Sequence, residues 1–539
     1  MTLNEKIPDP PNIPDEELTP AVRKLFECCT AQKEQLQLQK ELIQGLKDEI
    51  ARLKGEKPKP PIKPSSLGNK SNDQDKDGRG DKKSNKRPGS KKKRKKLKIH
   101  KSVTVPPDHI PGNSRFKGYD DFFVQDILIQ PYNIRYRLER WQTPSGDNVV
   151  GTIPKGVAQG HFGTHLVSYI LYQYHHAHVT QPLILEELLE IGIDISSGQI
   201  NRIITEGKED FHAEKDAILA AGLEVSDYVN VDDTGARHQG RNGYCTHIGN
   251  EFFAWFESTE HKSRINFLTL LRGRHSDYVL NQEALDYMLN HKLPKKVLQS
   301  LVKLEDKSFP DQQEWDSALN GLGIHTKRHV QIITEGALLG SILEHDLNKD
   351  LVILSDDAGQ FNVFFHALCW IHAERTINKL VGFNEQQRQA LNTVQDQLWN
   401  FYAELKAYKE DPSPGKSEEL EQRFDDLFTT QTCFASLNQA LKKIYANKSE
   451  LLLVLKRPEI PLHNNLSEKD IREYVKKRKI SGGTRSEQGR QARDTFTSLK
   501  KTCRKLGISF WDYLQDRLSG QNLIPRLSNV IRQKKRAPG

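Results

Sequence analysis

Two short runs constrain this chain more than any other feature: YVNVDD at residues 228–233 and LVILSDD at residues 351–357. Both are largely apolar and β-branched, and both end on a pair of acids. LVIL is apolar at consecutive positions, which suits a strand buried on both faces at the centre of a helix-covered sheet. YVNVDD is followed by NGYCTHIG and EFFAWFES, with turn residues at Arg241–Gly243 and Gly249–Asn250, and then by the helical pattern HKSRINFLTLLRG. The alternation between strand and helix periods reads as an α/β protein.

Three antiparallel-type strands, a helix and a buried parallel strand form the opening of an RNase H-like fold. In that arrangement Asp232 sits on strand one and Asp356 at the end of strand four. Residues 276–345 are mainly helical and read as an insertion. Helices are expected through FFHALCWIHAERTINKLVG and beyond, with a second helical insertion at about 384–455. The polar stretch PLHNNLSEKDIRE then opens a helix that carries Glu468. The whole unit is placed at 223–517.

Upstream, an acidic, proline-rich tail covers 1–18. Residues 19–54 carry a heptad seam: Val22, Cys29, Leu36, Ile43 and Ile50 on one track, Leu25, Leu46 and Leu53 on the other. This predicts a coiled coil and self-association as a homodimer or higher oligomer, against the plainer reading of one amphipathic helix packed on its own domain. Residues 55–101 have the composition of a disordered basic linker. Residues 82–101 hold twelve Lys/Arg and no acid; without them the net charge of +9 becomes −3. The linker therefore concentrates the positive charge, for DNA attraction or simply for solubility. A small β module is expected at 102–160, and a helical unit at 161–222 in which Ser196 or Ser197 caps the second helix of a helix-turn-helix-like pair. That geometry serves DNA contact or plain structure. Residues 518–539 read as a basic tail.

No apolar run reaches the length of a membrane helix, and MTLNEKIPDPPNIPDEEL lacks the basic and apolar regions of a secretory signal. A cytoplasmic chain without membrane partners is expected. The six cysteines form no CxxC pair, which argues against a zinc ribbon or a disulfide framework.

Phosphodiester chemistry needs an activated attacking oxygen and a stabilised leaving oxygen, and two Mg²⁺ ions do both. Mg²⁺ prefers hard oxygen ligands, so three carboxylates converging from distant parts of a chain suit it. Asp232, Asp356 and Glu468 are such a set. Acids after strands are also commonly caps or turn formers. Alternation along the strands leaves Asp232 versus Asp233, and Asp356 versus Asp357, open. After Glu468, residues 469–505 hold thirteen Lys/Arg against four acids. Arg472, Lys476, Lys477, Arg478, Lys479 and Arg485 are candidates to meet DNA phosphates, with a solvated helix face as the plainer reading.

The words VDDTGA, SDDAGQF with CWIHAER, and PLHNNLSEKDIR, in this order, resemble the IS66 family of insertion-sequence transposases. The resemblance runs from the coiled coil to about residue 517. It implies a DDE transposase with Asp232, Asp356 and Glu468 as catalytic metal ligands, choosing Asp232 and Asp356 over their neighbours. It adds Cys369, His372 and Arg375 on one helix, with His372 near the scissile phosphate or attacking water and Arg375 toward DNA, and Asn464, Asn465 and Arg472 beside Glu468. It implies two Mg²⁺ ions, with Mn²⁺ as a substitute, acting on the element's inverted-repeat ends and on target DNA. Accessory proteins of the same element would be further partners. The chain departs from the family's pattern in three places. No cysteine occurs in 100–155, where many members carry a zinc module, so no zinc is expected there. His463 stands where an aspartate is frequent, and 276–345 is long. The alternative is a catalytically inactive, dimeric DNA-binding protein that represses transposition.

Overall fold

The computed structural model describes residues 24, 31–32, 35–36, 38–39, 42, 98–111, 114–154, 156–345 and 348–536. The scattered described residues between Lys24 and Leu42 are helical. The acidic tail, the rest of the expected coiled coil and the linker up to residue 97 lie outside the described residues.

A five-stranded mixed sheet forms the centre. Its strands are β1 (Tyr228–His238), β2 (Arg241–Gly249), β3 (Ala254–Thr259), β4 (Val352–Ser355) and β5 (Phe365–Leu368), in spatial order β5-β4-β1-β2-β3. β1, β2 and β3 are antiparallel neighbours, while β4 runs parallel to both β1 and β5. The β1–β2 turn is tighter than the sequence suggests. Gln239 and Gly240 alone make it, with φ of 48° and 78°, the doubly positive form that matches strand twist. β1 therefore continues to His238, and Asp232 lies inside the strand rather than at its end. β4, however, pairs with β1 only over Tyr228–Asn230. Asp232 thus sits just past the point where β1 loses its parallel neighbour.

Phe365–Leu368 departs from the expected helix. FHAL is too short to show a period, and here it pairs residue by residue with Val352–Ser355 as a fifth strand. The helix begins only at Trp370.

Among the described residues from 156 on, four helices precede the sheet: α1 (Thr164–His175), α2 (Gln181–Glu190), α3 (Ser197–Thr205) and α4 (Glu209–Val225). Ser196 is the cap of α3. Its hydroxyl accepts from Gln199 N while the Gln199 side chain accepts from Ser196 N. Next come α5 (Arg264–Arg272) and an insertion that ends in α6 (Lys327–Glu344). α7 (Trp370–Asn378) leads to the second insertion, α8 (Glu385–Glu410), α9 (Pro414–Phe428) and α10 (Ala435–Ala446). α11 (Asn465–Ser481), α12 (Glu487–Leu506), α13 (Phe510–Ser519) and α14 (Leu527–Arg536) complete the chain.

One apolar core runs from Val167 in α1 to Ile531 in α14, so the helical unit and the sheet share it; the second insertion builds its own core with α7. The expected basic tail is therefore corrected in part. α14 buries Leu527 and Ile531, and the buried Glu214 of α4 accepts from Tyr513, Arg517, Arg526 and the Leu527 amide. The expected β module shrinks to a hairpin of Arg140–Gln142 with Asn148–Val150 and, at its end, the two-residue pairing of Ala158–Gln159 with Phe162–Gly163. Among the described residues from 98 to 139 there is neither helix nor strand.

α12 also seals the edge of the sheet. Thr502 Oγ1, Ser498 Oγ and Asp494 Oδ2 accept from the amides of Ala254, Phe256 and Ser258, at 3.1, 2.9 and 2.8 Å. Four residues of helix rise about 6 Å and two residues of strand about 6.8 Å, so the two ladders stay in step over this length. An otherwise open edge strand is covered by side chains.

Candidate active site

β1 delivers Asp232 to the face that α11 covers. Asn230, on that same face, donates to Asn464 Oδ1 at 2.8 Å, and Asp232 stands opposite His247, whose Nδ1 lies 2.6 Å from Ser467 Oγ. Glu468 follows Ser467 at the first turn of α11. Asp233 points to the other face. It accepts from Thr246 Oγ1 at 2.6 Å and Gln360 Nε2 at 3.0 Å, with Lys262 at 3.9 Å.

Asn464 ties the three elements together. Its side chain donates to Val231 O on β1 at 2.8 Å, its amide donates to Cys369 Sγ at the start of α7, and its carbonyl accepts from Glu468 N. Cys369 N in turn donates to Ser355 O at the end of β4, 3.0 Å away. Cys369 is thus buried in the scaffold, away from any metal-ligand role beside His372.

Asp356 follows β4 directly, and its Oδ1 accepts from Ala358 N at 3.2 Å. Asp357 turns outward to Lys443 at 2.7 Å and Asn447 at 3.3 Å. Glu468 Oε1 accepts from Arg375 at 3.1 Å, and Arg472 stands 3.9 Å from its other oxygen.

Burial raises the Asp232 carboxyl from 3.8 to about 7, helped by the charges of Asp356, Asp233 and Glu468 and opposed by the Asp233 amide that its Oδ1 accepts from. The acids therefore feel one another across the site. They stand wider than a single-ion cage. Among the described residues, only His275, Asp277 and His345 bring three such ligand atoms within 4.8 Å of one another.

His372 lies 3.8 Å from Glu468 and 3.3 Å from Arg375 Nη1. A guanidinium can only donate, so Nε2 accepts and Nδ1 carries the proton. Burial, with the Arg375 charge beside it, holds the ring below its usual range and neutral. His372 and Arg375 line a cavity of about 400 Å³ with Asp356, Asp357, Lys379 and Lys443. Lys443 comes from α10 in the second insertion, where no motif marks it.

The basic stretch divides. Arg472, Lys476, Lys479 and Arg485 are exposed. Arg478 is half-buried and donates to Gly235 O on β1. Lys477 corrects the expectation of a DNA contact. It is buried, donates to Tyr174 O at 2.7 Å and lies over the Tyr174 ring, and burial pulls it down to about 7. Arg493, Lys500 and Lys501 are buried as well, and Lys505 joins Lys501 and His247 around Asp470. Much of the local positive charge therefore serves the fold. Helical spacing identifies the inward face of α12 only once β3 is known to lie against it.

Residues 342–492 match the family described as Transposase IS66 family. The match takes in β4, Asp356, His372 and Glu468, but not Asp232. A relative named Uncharacterized protein y4jO, from Sinorhizobium fredii, is 46% identical over 312 residues, which is 57% of this chain and 97% of the relative. No helix among the described residues is long and apolar enough to cross a membrane. β4, α7, Asp356 and Glu468 fall within that family match, and the chain belongs to the IS66 family of transposases.

Proposed function

We propose that the chain is a DDE transposase that cleaves DNA at the ends of its element and joins them to target DNA. The observation that carries this reading is that Asp232, Asp356 and Glu468 face one site, where burial, with the charges of Asp356, Asp233 and Glu468, lifts the Asp232 carboxyl to about 7. The spatial order β5-β4-β1-β2-β3 supports an RNase H-like fold for the catalytic unit at 223–517.

The donor set fits a pair of Mg²⁺ ions. It is all oxygen, its negative charges crowd one another, and Asp232 Oδ2 and Asp356 Oδ2 accept no hydrogen bond among the described residues. When bound, the ions supply an activated attacking oxygen and a stabilised leaving oxygen. Asp233 and Asp357 are occupied by other partners, which favours Asp232 and Asp356 as ligands. Arg375 holds Glu468 and is placed to release it toward a phosphate. Neutral His372 orients a water or a non-bridging oxygen beside Asp356. Lys379 and Lys443 extend the cationic wall of the cavity, while Arg472, Lys476, Lys479 and Arg485 bind the flanking backbone. Residues 19–54 dimerise the chain as a coiled coil, and the α2–α3 pair contributes to end recognition.

The test is cleavage and strand transfer on labelled inverted-repeat ends with Mg²⁺. Asp232→Asn, Asp356→Asn and Glu468→Gln each abolish chemistry and keep DNA binding. Full activity in any one removes that residue from the site. A wild-type chain that binds ends but never cuts them supports the repressor reading instead.

A further inference from the structure

We propose that His275, Asp277 and His345 form a second metal site, for a zinc-class transition-metal ion, at the neck of the insertion that ends in α6. His275 and Asp277 lie between α5 and the short strand Tyr278–Val279, where the chain enters the insertion. His345 follows α6, where it leaves. One ligand atom from each lies within 4.8 Å of the other two. His345 Nε2 is 3.0 Å from both oxygens of Asp277.

The geometry is that of a prepared site. Donors around a tetrahedral zinc, with bonds of about 2.0–2.2 Å, stand about 3.3 Å apart. The His345–Asp277 pair is already near that value. The His275 ring stacks on His345 with centroids 3.6 Å apart and 14° between planes, so a rotation of its side chain brings the third ligand in. Ser341, one helical turn before His345, donates to Asp277 Oδ1 at 2.9 Å and holds the carboxylate in place.

The ligand chemistry sets the class of ion. Two imidazoles and one carboxylate suit zinc, cobalt or nickel, whereas magnesium prefers oxygen alone. Three protein ligands leave a fourth position for water. Arg274 and Arg272 are the opposing charges nearby, of which Arg272 lies over the Tyr278 ring and donates to Asp277 O. The same neck is tied by Asn281, which donates to Gly340 O at 3.0 Å. A metal here would clamp the entry and exit of a long insertion and limit its freedom relative to the sheet. This site is independent of the Asp232, Asp356 and Glu468 reading.

The experiment uses the full, tag-free chain carrying Asp232→Asn, Asp356→Asn and Glu468→Gln, so that the carboxylate site cannot take the ion. After removal of metal with a chelator, Zn²⁺ is titrated and Co²⁺ is read by its visible absorption. About one equivalent of Zn²⁺ is expected, with the cobalt spectrum of a four-coordinate site. His275→Ala and His345→Ala each weaken binding by at least about tenfold. His345→Cys keeps the site and adds a thiolate-to-cobalt charge-transfer band, a readout that a misfolded protein would not give. Zinc uptake no greater than that of the His275→Ala/His345→Ala double variant overturns the proposal and leaves only a hydrogen-bonded clasp.

Discussion

Asp232→Asn should make the metal-free protein more stable while removing its activity. The native state holds a proton on Asp232 more tightly than the unfolded chain does, because burial and the neighbouring acids raise its carboxyl from 3.8 to about 7. The group's contribution to stability is therefore fully present below the unfolded value and is lost as pH rises through about 7. A rise of this size corresponds to about 4 kcal/mol as a ceiling. The replacement amide still has to be buried, although its oxygen keeps the Asp233 amide as a partner. A net gain of about 1–3 kcal/mol remains at about pH 8, and it shrinks steadily toward about pH 4. Thermal melting in EDTA across that range measures it. Mg²⁺ should raise the melting temperature of the wild type and leave the variant unmoved. A variant equal to or less stable than the wild type at about pH 8 without metal would refute the crowding on which the argument depends.

Neutralising Lys476, Lys479 or Arg485 should each lower the slope of log affinity against log salt by about 0.9, whereas Lys477→Met should leave the slope unchanged. Filter binding across a salt series separates the two classes. Glu214→Gln removes one of the two carboxylates paired with the buried Arg517, which keeps Asp516, and should cost about 1–3 kcal/mol, visible as early proteolytic release of α13 and α14. Ser498→Ala with Thr502→Val leaves two β3 amides unpaired, at about 1–3 kcal/mol each, and hydrogen exchange at Ala254 and Phe256 should quicken accordingly.

The central sheet was legible because its strands carry their own signals. VILS is apolar at nearly every position, and the β1–β3 segments alternate between turn residues. What the sequence concealed was set by contacts between distant segments. β5 is four residues long and has no period of its own; it is a strand because β4 lies beside it. The turn at Gln239–Gly240 lacks the usual Asn-Gly signature, so the reach of β1 beyond Asp232 was hidden. The basic stretch after Glu468 looked uniform, yet Lys477, Lys500 and Lys501 point inward to Tyr174, Glu473 and Asp470. Charge counting cannot separate a lysine that binds phosphate from one that pairs inside the fold. The acid pairs were ambiguous for a similar reason. Alternation puts Asp232 and Asp233 on opposite faces, but only the position of α11 says which of the two faces it and Glu468 share. His275, Asp277 and His345 escaped notice because their spacing matches no metal-binding motif.

The claim that Asp232 is a metal ligand is tested most directly by Asp232→Cys in the cleavage assay. A thiolate tolerates Mn²⁺ better than Mg²⁺. The variant is expected to bind ends normally, to be inactive in Mg²⁺ and to regain cleavage by about tenfold or more in Mn²⁺. Cleavage near the wild-type level in Mg²⁺, or the same residual rate in both metals, would contradict the claim.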